Sequence, residues 1–218
     1  MEVNVLMIDD HHPIIEGYKS ILSYNPHGYV LDITTALSCK SAYELISTTK
    51  NSFDIVMIDY TMPPYLERNI ECGADLVPVI RKYLGQSKIM ILTSHSESLL
   101  LLKLLKECNP EGLLVKSDIM AEEFLAAFDA LVRGENYYSR TITSLKQEVK
   151  ETAKVLDSYN RQIIMLLAQG IKTKNLPDYL HLSKSAVDKR KAFIKEFFCI
   201  EKGNDEDILR EARKQGLI

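Results

Sequence analysis

The chain reads as an α/β protein: a doubly wound, five-stranded parallel sheet followed by a small all-α unit with a helix-turn-helix layout. Three observations predict this. Over about the first 130 residues, short and nearly continuous apolar runs alternate with helix-patterned segments, as strands buried on both faces require. After a polar stretch that alternation stops, and only helical spacing remains. The charge also divides: residues 151–218 carry 13 basic and 10 acidic side chains against 14 and 20 in residues 1–150, within a net charge of −3. An acidic front and a mildly basic tail point to different partners for the two parts.

Strands are expected at 3–8, 29–35, 53–58, 88–92 and 112–115. Helices are expected between and after them at 13–24, 41–47, 73–84, 98–107 and 120–133, the last capped by Ser117-Asp118. Segment 134–152 is polar and lacks the rhythm, so it is assigned as a linker between domains 1–133 and 153–218. A helix over 155–169 ends at Gly170, a residue suited to a helix stop. A short helix then reaches about His181. Leu182-Ser183 supplies a turn with Ser183 as N-cap, and helices over 184–198 and 205–215 complete the unit.

Composition narrows the function classes. Hydrophobic residues make up 46% and charged residues 26%, which excludes a mostly disordered chain. The longest apolar runs, at 99–102 and 163–168, are far too short to span a bilayer. The segment 1–7 lacks a basic n-region, so a cytoplasmic location with no membrane partner is expected. Cys39, Cys72, Cys108 and Cys199 have no paired spacing, which favours reduced, mostly buried thiols over disulfides or a zinc site.

Ligands of an open parallel sheet bind outside the carboxyl ends of its strands. Those ends deliver Asp9 and Asp10, Asp59, Thr93 and Lys116. Three carboxylates converging on one crevice repel one another unless a hard cation lies among them, and Mg2+ suits oxygen ligands. A hydroxyl and an ammonium beside it would hold the oxygens of a phosphoryl group. Asp59, ending a central strand, is the carboxylate best placed to attack phosphorus and form an aspartyl phosphate. Taken singly these are common residues; a strand-ending Asp can merely cap the next helix, and Lys116 can be an ordinary surface lysine.

At Asp9-Asp10, Asp59-Tyr60-Thr61-Met62-Pro63, Thr93-Ser94 and Lys116-Ser117 the chain resembles a response-regulator receiver domain over residues 3 to about 133. The resemblance implies a flavodoxin-like sheet and a phosphoacceptor, not an enzyme acting on other substrates. It implies that Asp59 accepts phosphate from a histidine kinase. Asp10, Asp59 and the backbone carbonyl of Thr61 would ligate Mg2+, with Asp9 helping through water. Thr93 would bond the phosphoryl group and Lys116 would pair with it. Two positions depart from the family: Leu113 stands where an aromatic switch residue is usual, and the loop 64–73 is longer than the common one. The adjacent His11 and His12 read as a loop pair like the family's Asp-Asp-His, without partners at metal-site spacing. His95, just past Thr93, is placed to gate the site.

Residues 153–218 resemble the LuxR-type helix-turn-helix of NarL/FixJ regulators through Gly170, Leu180, Leu182, Ser183, Val187, Ile194 and Phe197. On the expected recognition helix, Lys184, Ser185, Lys189, Arg190, Lys191 and Lys195 are the candidate DNA contacts, basic groups there neutralising phosphates. Asp188 occupies a place where the family commonly has a basic contact, and Pro177 implies a late helix start near Asn175. The reading is therefore a two-domain regulator in which phosphorylation of Asp59 controls dimerisation, DNA binding and transcription. The alternatives are a regulator working through protein contacts, a phosphatase or mutase, and a flavin module. The phosphatase would want its nucleophile in a DxD after the first strand, and the flavin module a Ser/Thr-rich loop there in place of Asp9-Asp10.

Overall fold

The computed structural model describes residues 1–200 and 203–218, with side chains described outside 150–155. The chain divides into two compact units, Met1–Thr143 and Ser144–Ile218.

The first unit is a parallel sheet of order β2-β1-β3-β4-β5-β6, from β1 (Glu2–Ile8), β2 (Val30–Ala36), β3 (Ile55–Asp59), β4 (Lys88–Thr93), β5 (Gly112–Val115) and the two-residue β6 (Tyr137–Tyr138). The central order and both-face coverage match the doubly wound expectation. The sixth strand was not expected. It forms because Tyr137 N–H reaches the carbonyl of Glu111 at 2.9 Å, satisfying part of the edge of β5. Helices α1 (His12–Ser23), α2 (Cys39–Thr48), α3 (Val77–Tyr83), α4 (Ser98–Glu107) and α5 (Ala121–Val132) connect the strands.

Alternating residues of β1 enter opposite cores. Val3, Val5 and Met7 pack with Ile15 and Leu22 of α1 and Phe124 and Phe128 of α5, while Leu6 and Ile8 are equally buried on the other face. Burial on both faces explains why the strands read as continuous apolar runs.

Glu111, just ahead of β5, pins the lower end of this sheet. Its carboxylate accepts two bonds from Arg81 Nη2, at 3.1 and 2.9 Å, and one from the Ile89 N–H at 2.9 Å. Burial pushes the Glu111 carboxyl upward, but the Arg81 and Ile89 bonds outweigh it and hold it below its usual 4.5. Glu111→Ala should cost the unit about 1–3 kcal/mol at pH 7 by orphaning the Ile89 N–H and removing the ion pair from Arg81, which keeps its bonds to the Ser87 and Asn109 carbonyls, read by urea denaturation. Because the folded-state value is depressed, this contribution is present above pH 4.5 and fades below it, so the gap between variant and wild type should narrow there.

Segment 134–152, expected as a linker, forms β6 and most of α6 (Arg140–Val155). Its polarity masked a helical stripe in which Ile142 and Leu145 are buried. The start of α6 is tied to the loop after β5. The Asp118 carboxylate accepts bonds from Ser139 Oγ (2.7 Å), Thr141 N (2.8 Å) and Thr141 Oγ1 (2.9 Å), and Ser139 Oγ accepts from Val115 N at 3.1 Å.

The second unit holds α7 (Ser158–Ala168), α8 (Leu176–Leu180), α9 (Lys184–Phe197) and α10 (Asp205–Lys214) around Ile163, Leu167, Leu176, Leu180, Val187, Ile194 and Ile208. Asp157 caps α7, so that helix starts later than the expected Val155. Asn175 precedes α8 with Pro177 in its first turn, where the missing N–H costs nothing. His181 takes a left-handed conformation (φ 52°), and the Ser183 side chain accepts from Ala186 N, which gives the tight turn between α8 and α9. No described helix is long and apolar enough to cross a membrane. All four cysteines are free; Cys39 is buried, Cys72 and Cys108 half-buried and Cys199 exposed.

Candidate functional site

The carboxyl ends of β1, β3, β4 and β5 bring all five strand-end residues to one side of the sheet, because parallel strands end on the same side. Asp9, Asp59 and Thr93 are buried. Lys116 Nζ lies 3.0 Å from Asp59 Oδ2 and 3.4 Å from Asp9 Oδ2. Burial raises the Asp59 carboxyl above its usual 3.8, and the Lys116 bond and charge offset this only in part. Thr61 N donates to Asp59 Oδ1 at 3.4 Å, so the chain turns around the carboxylate. The Thr93 hydroxyl accepts from His95 N at 3.1 Å, and the His95 ring meets Tyr60 edge-on with centroids 5.4 Å apart.

The donor set suits a divalent cation. Asp9, Asp10, His11 and Asp59 each offer a ligand atom within 4.8 Å of the others. Asp10 Oδ1 is buried yet has no hydrogen-bond partner, an orphaned anionic atom of the kind a cation satisfies. Asp9, Asp10 and Asp59 therefore fit Mg2+, which neutralises converging carboxylates and phosphoryl oxygens when bound.

One supporting residue escaped sequence reasoning. Gly73 crosses directly over the end of β3: its N–H donates to the Tyr60 carbonyl at 2.9 Å, and a Cβ there would lie 1.9 Å from the Asp59 carbonyl oxygen. The long loop 64–72 that leads to it folds on itself through a Tyr65–Ile70 bridge. His11, read from the sequence as a loop residue without metal-site partners, places its side chain beside the acidic group. Leu113, at the position where an aromatic residue was noted as usual, is fully buried in β5.

In the second unit the six candidate DNA contacts separate into two sets. Lys184, Ser185 and Lys189 are exposed on α9. Arg190 instead pairs with Asp157, bonds Asn160 Oδ1 at 3.2 Å and lies over the Tyr159 ring. Lys191 pairs with Asp205 and donates to Thr173 Oγ1 at 2.7 Å, and Lys195 donates to the Gly203 carbonyl at 2.7 Å. These three stitch α9 to its neighbours. Asp188 and Glu196 are exposed with the first set, so the charges on that open face cancel. Sequence counting missed this because it weighs a helix's charges without knowing which are already paired.

A buried aspartate paired with a lysine above an acidic cluster, at the carboxyl ends of a doubly wound sheet, defines a receiver-type signalling domain. The chain belongs to the response regulator receiver domain family, whose model matches residues 5–128. It is similar to the oxygen regulatory protein NreC of Staphylococcus epidermidis, with 25% identity over 205 residues covering 88% of this chain and 89% of that protein. Its fold is similar to the RcsB response regulator of Salmonella typhimurium, with a TM-score of 0.66 at 18% identity over 96% of this chain and 97% of that one. A further RcsB structure, from Salmonella enterica serovar Typhimurium, has a TM-score of 0.54 at 18% identity, over 97% of this chain and 98% of that one. It is bound to promoter P1flhDC in the presence of the phosphomimetic BeF3-.

Proposed function

We propose that this chain is a cytoplasmic response regulator in which a histidine kinase phosphorylates Asp59 and the phosphorylated form, as a dimer, controls transcription through DNA contacts of α9. The observation that carries the first half is Lys116 Nζ at 3.0 Å from Asp59 Oδ2 beside two further carboxylates. A carboxylate oxygen of Asp59 attacks phosphorus while the bond from phosphorus to the donor's leaving group breaks. Asp10, Asp59 and the Thr61 carbonyl would hold Mg2+, with Asp9 behind them. Thr93 and Lys116 would take the phosphoryl oxygens. The chain's chemistry is limited to its own phosphorylation and dephosphorylation. The added charge of roughly −1.5 to −2 draws Lys116 and Thr93 toward it, and the Asp118 tie offers a route from that loop to the start of α6.

The second half draws support from the helix-turn-helix geometry of α8 and α9 and from the RcsB–promoter complex. Acetyl phosphate with Mg2+ should add one phosphoryl group by intact mass, and fluorescence anisotropy on promoter-length DNA should report binding on the same sample. Lys189→Ala is expected to weaken DNA binding and lower the salt slope by about 1, whereas Arg190→Ala should destabilise the second unit with the slope retained, Arg190 being already paired.

The charge-balanced open face of α9 favours a second reading, a regulator whose helix-turn-helix acts through protein contacts. Absence of any salt-sensitive DNA binding, phosphorylated or not, would select it.

A further inference from the structure

We propose that Asp188 reads a base: its carboxylate accepts from the N4 amino group of a cytosine in the major groove and so fixes a C·G pair at one position of each half-site. The inference rests on the reading of α9 as a DNA-contacting helix and adds to it the base that this helix selects.

Asp188 is the fifth residue of α9, which runs from Lys184 to Phe197 and buries Val187 and Ile194 in the core of its unit. Ser185, Asp188, Lys189 and Ala192 recur at three- and four-residue spacing and are all exposed, so they share the open face of the helix. Recognition helices touch base edges with residues near their N-terminus. Ser185 and Ala192, which flank Asp188 along that face, are short, and the carboxylate stands clear of both.

That carboxylate has no duty inside the protein. Among the described residues none forms an ion pair or hydrogen bond with it, although Lys184 and Lys189 lie four residues before it and one after. The cap of α9 is Ser183, whose side chain accepts from Ala186 N at 3.1 Å. The first turn of α9 holds no acidic residue, and the helix dipole acts little beyond that turn, so the dipole does not account for Asp188. The basic residues further along, Arg190, Lys191 and Lys195, are engaged with Asp157, Asp205 and the Gly203 carbonyl instead.

The chemistry of the base edges sets the preference. An unpaired anion repels the phosphates, and within the groove only a donor on a base offsets that repulsion. Bases present two such donors in the major groove, the N4 amino group of cytosine and the N6 amino group of adenine. The adenine group lies between two acceptors, its own N7 and O4 of the paired thymine, and these repel the second carboxylate oxygen. The cytosine group has an acceptor, O6 of the paired guanine, on one side only. Cytosine is therefore the base a carboxylate selects. The charge balance of the open face sharpens the effect: with few phosphates neutralised, a larger share of the affinity falls on the base contact.

The test presents the full chain, treated with acetyl phosphate and Mg2+, with duplex DNA carrying a randomised central stretch. Bound duplexes are sequenced over successive rounds, and fluorescence anisotropy then measures single duplexes at low and high salt. The wild-type chain is expected to select cytosine at one position of the half-site, and replacing that pair should weaken binding at least about fivefold, the lower end of what one mismatched pair costs. Asp188→Asn should move the preference at that position to adenine, whose N6 and N7 an amide pairs bidentately. Asp188→Ala should select no base there and keep the flanking preferences. If Asp188 only repels DNA, Asp188→Asn will tighten binding to every duplex alike. That result, the absence of a cytosine position, or a cytosine preference that survives Asp188→Asn overturns the inference while leaving DNA binding by α9 standing. No salt-sensitive binding to any duplex overturns both.

Discussion

Gly73→Ala should cost the receiver about 3 kcal/mol, the upper end of what forced overpacking costs, and should impair phosphorylation along with stability. The new methyl would stand 1.9 Å from the Asp59 carbonyl oxygen and 2.9 Å from Ile58 Cγ2. A flexible side chain could yield, but the closest obstacle is backbone at the end of a buried central strand. The Gly73 N–H also bonds the Tyr60 carbonyl at 2.9 Å, so moving away sacrifices a hydrogen bond. The strand end must therefore shift, and the Asp59 carboxylate shifts with it relative to Lys116. Urea denaturation and acetyl phosphate labelling of the same sample check both effects. Wild-type stability in the variant would show that the approach relaxes without cost.

Asp59→Asn should abolish incorporation of the phosphoryl group, because an amide lacks the nucleophilic oxygen anion, and it should also make the metal-free protein more stable. Asp59 is buried beside Asp9, and burial raises its carboxyl despite Lys116, so ionised Asp59 opposes folding near neutral pH. A raised folded-state value places that cost above pH 3.8, where the unfolded chain gives up its proton more readily. Asn removes the charge and leaves Lys116 paired with Asp9 at 3.4 Å. The expected gain is about 2–4 °C in Tm, what ~1 kcal/mol is worth in a chain of this size. The rise should shrink when Mg2+ is added, since the ion relieves the same repulsion in the wild type. A phosphoryl adduct in Asp59→Asn would move the modification to another residue, and a lowered Tm would show the Lys116 pair to be a net stabiliser.

Much of this site was legible before any coordinates. Asp9, Asp10, Asp59, Thr93 and Lys116 each follow an apolar run, and parallel strands send those ends to one side whatever the intervening helices do. The helix-turn-helix was legible for a similar reason: Gly170, Pro177 and Ser183 act on their own backbone, so their positions mark helix ends locally. The helix α6 was missed although Ile142 and Leu145 lie at helical spacing, because overall polarity was given more weight than period.

Local rules of backbone, cap and apolar period thus determined the first five strands with their helices, the helix-turn-helix and the five side chains at the strand ends. Tertiary structure alone decided what depends on distance between remote residues. It set Gly73 against the backbone of Asp59, Asp118 against Ser139 and Thr141, and Arg190 against Asp157. The physical reason is range. A strand or a cap is specified by neighbours along the chain, whereas steric contact, ion pairing and shared metal ligation act over a few ångströms between groups whose proximity exists only once the chain has folded.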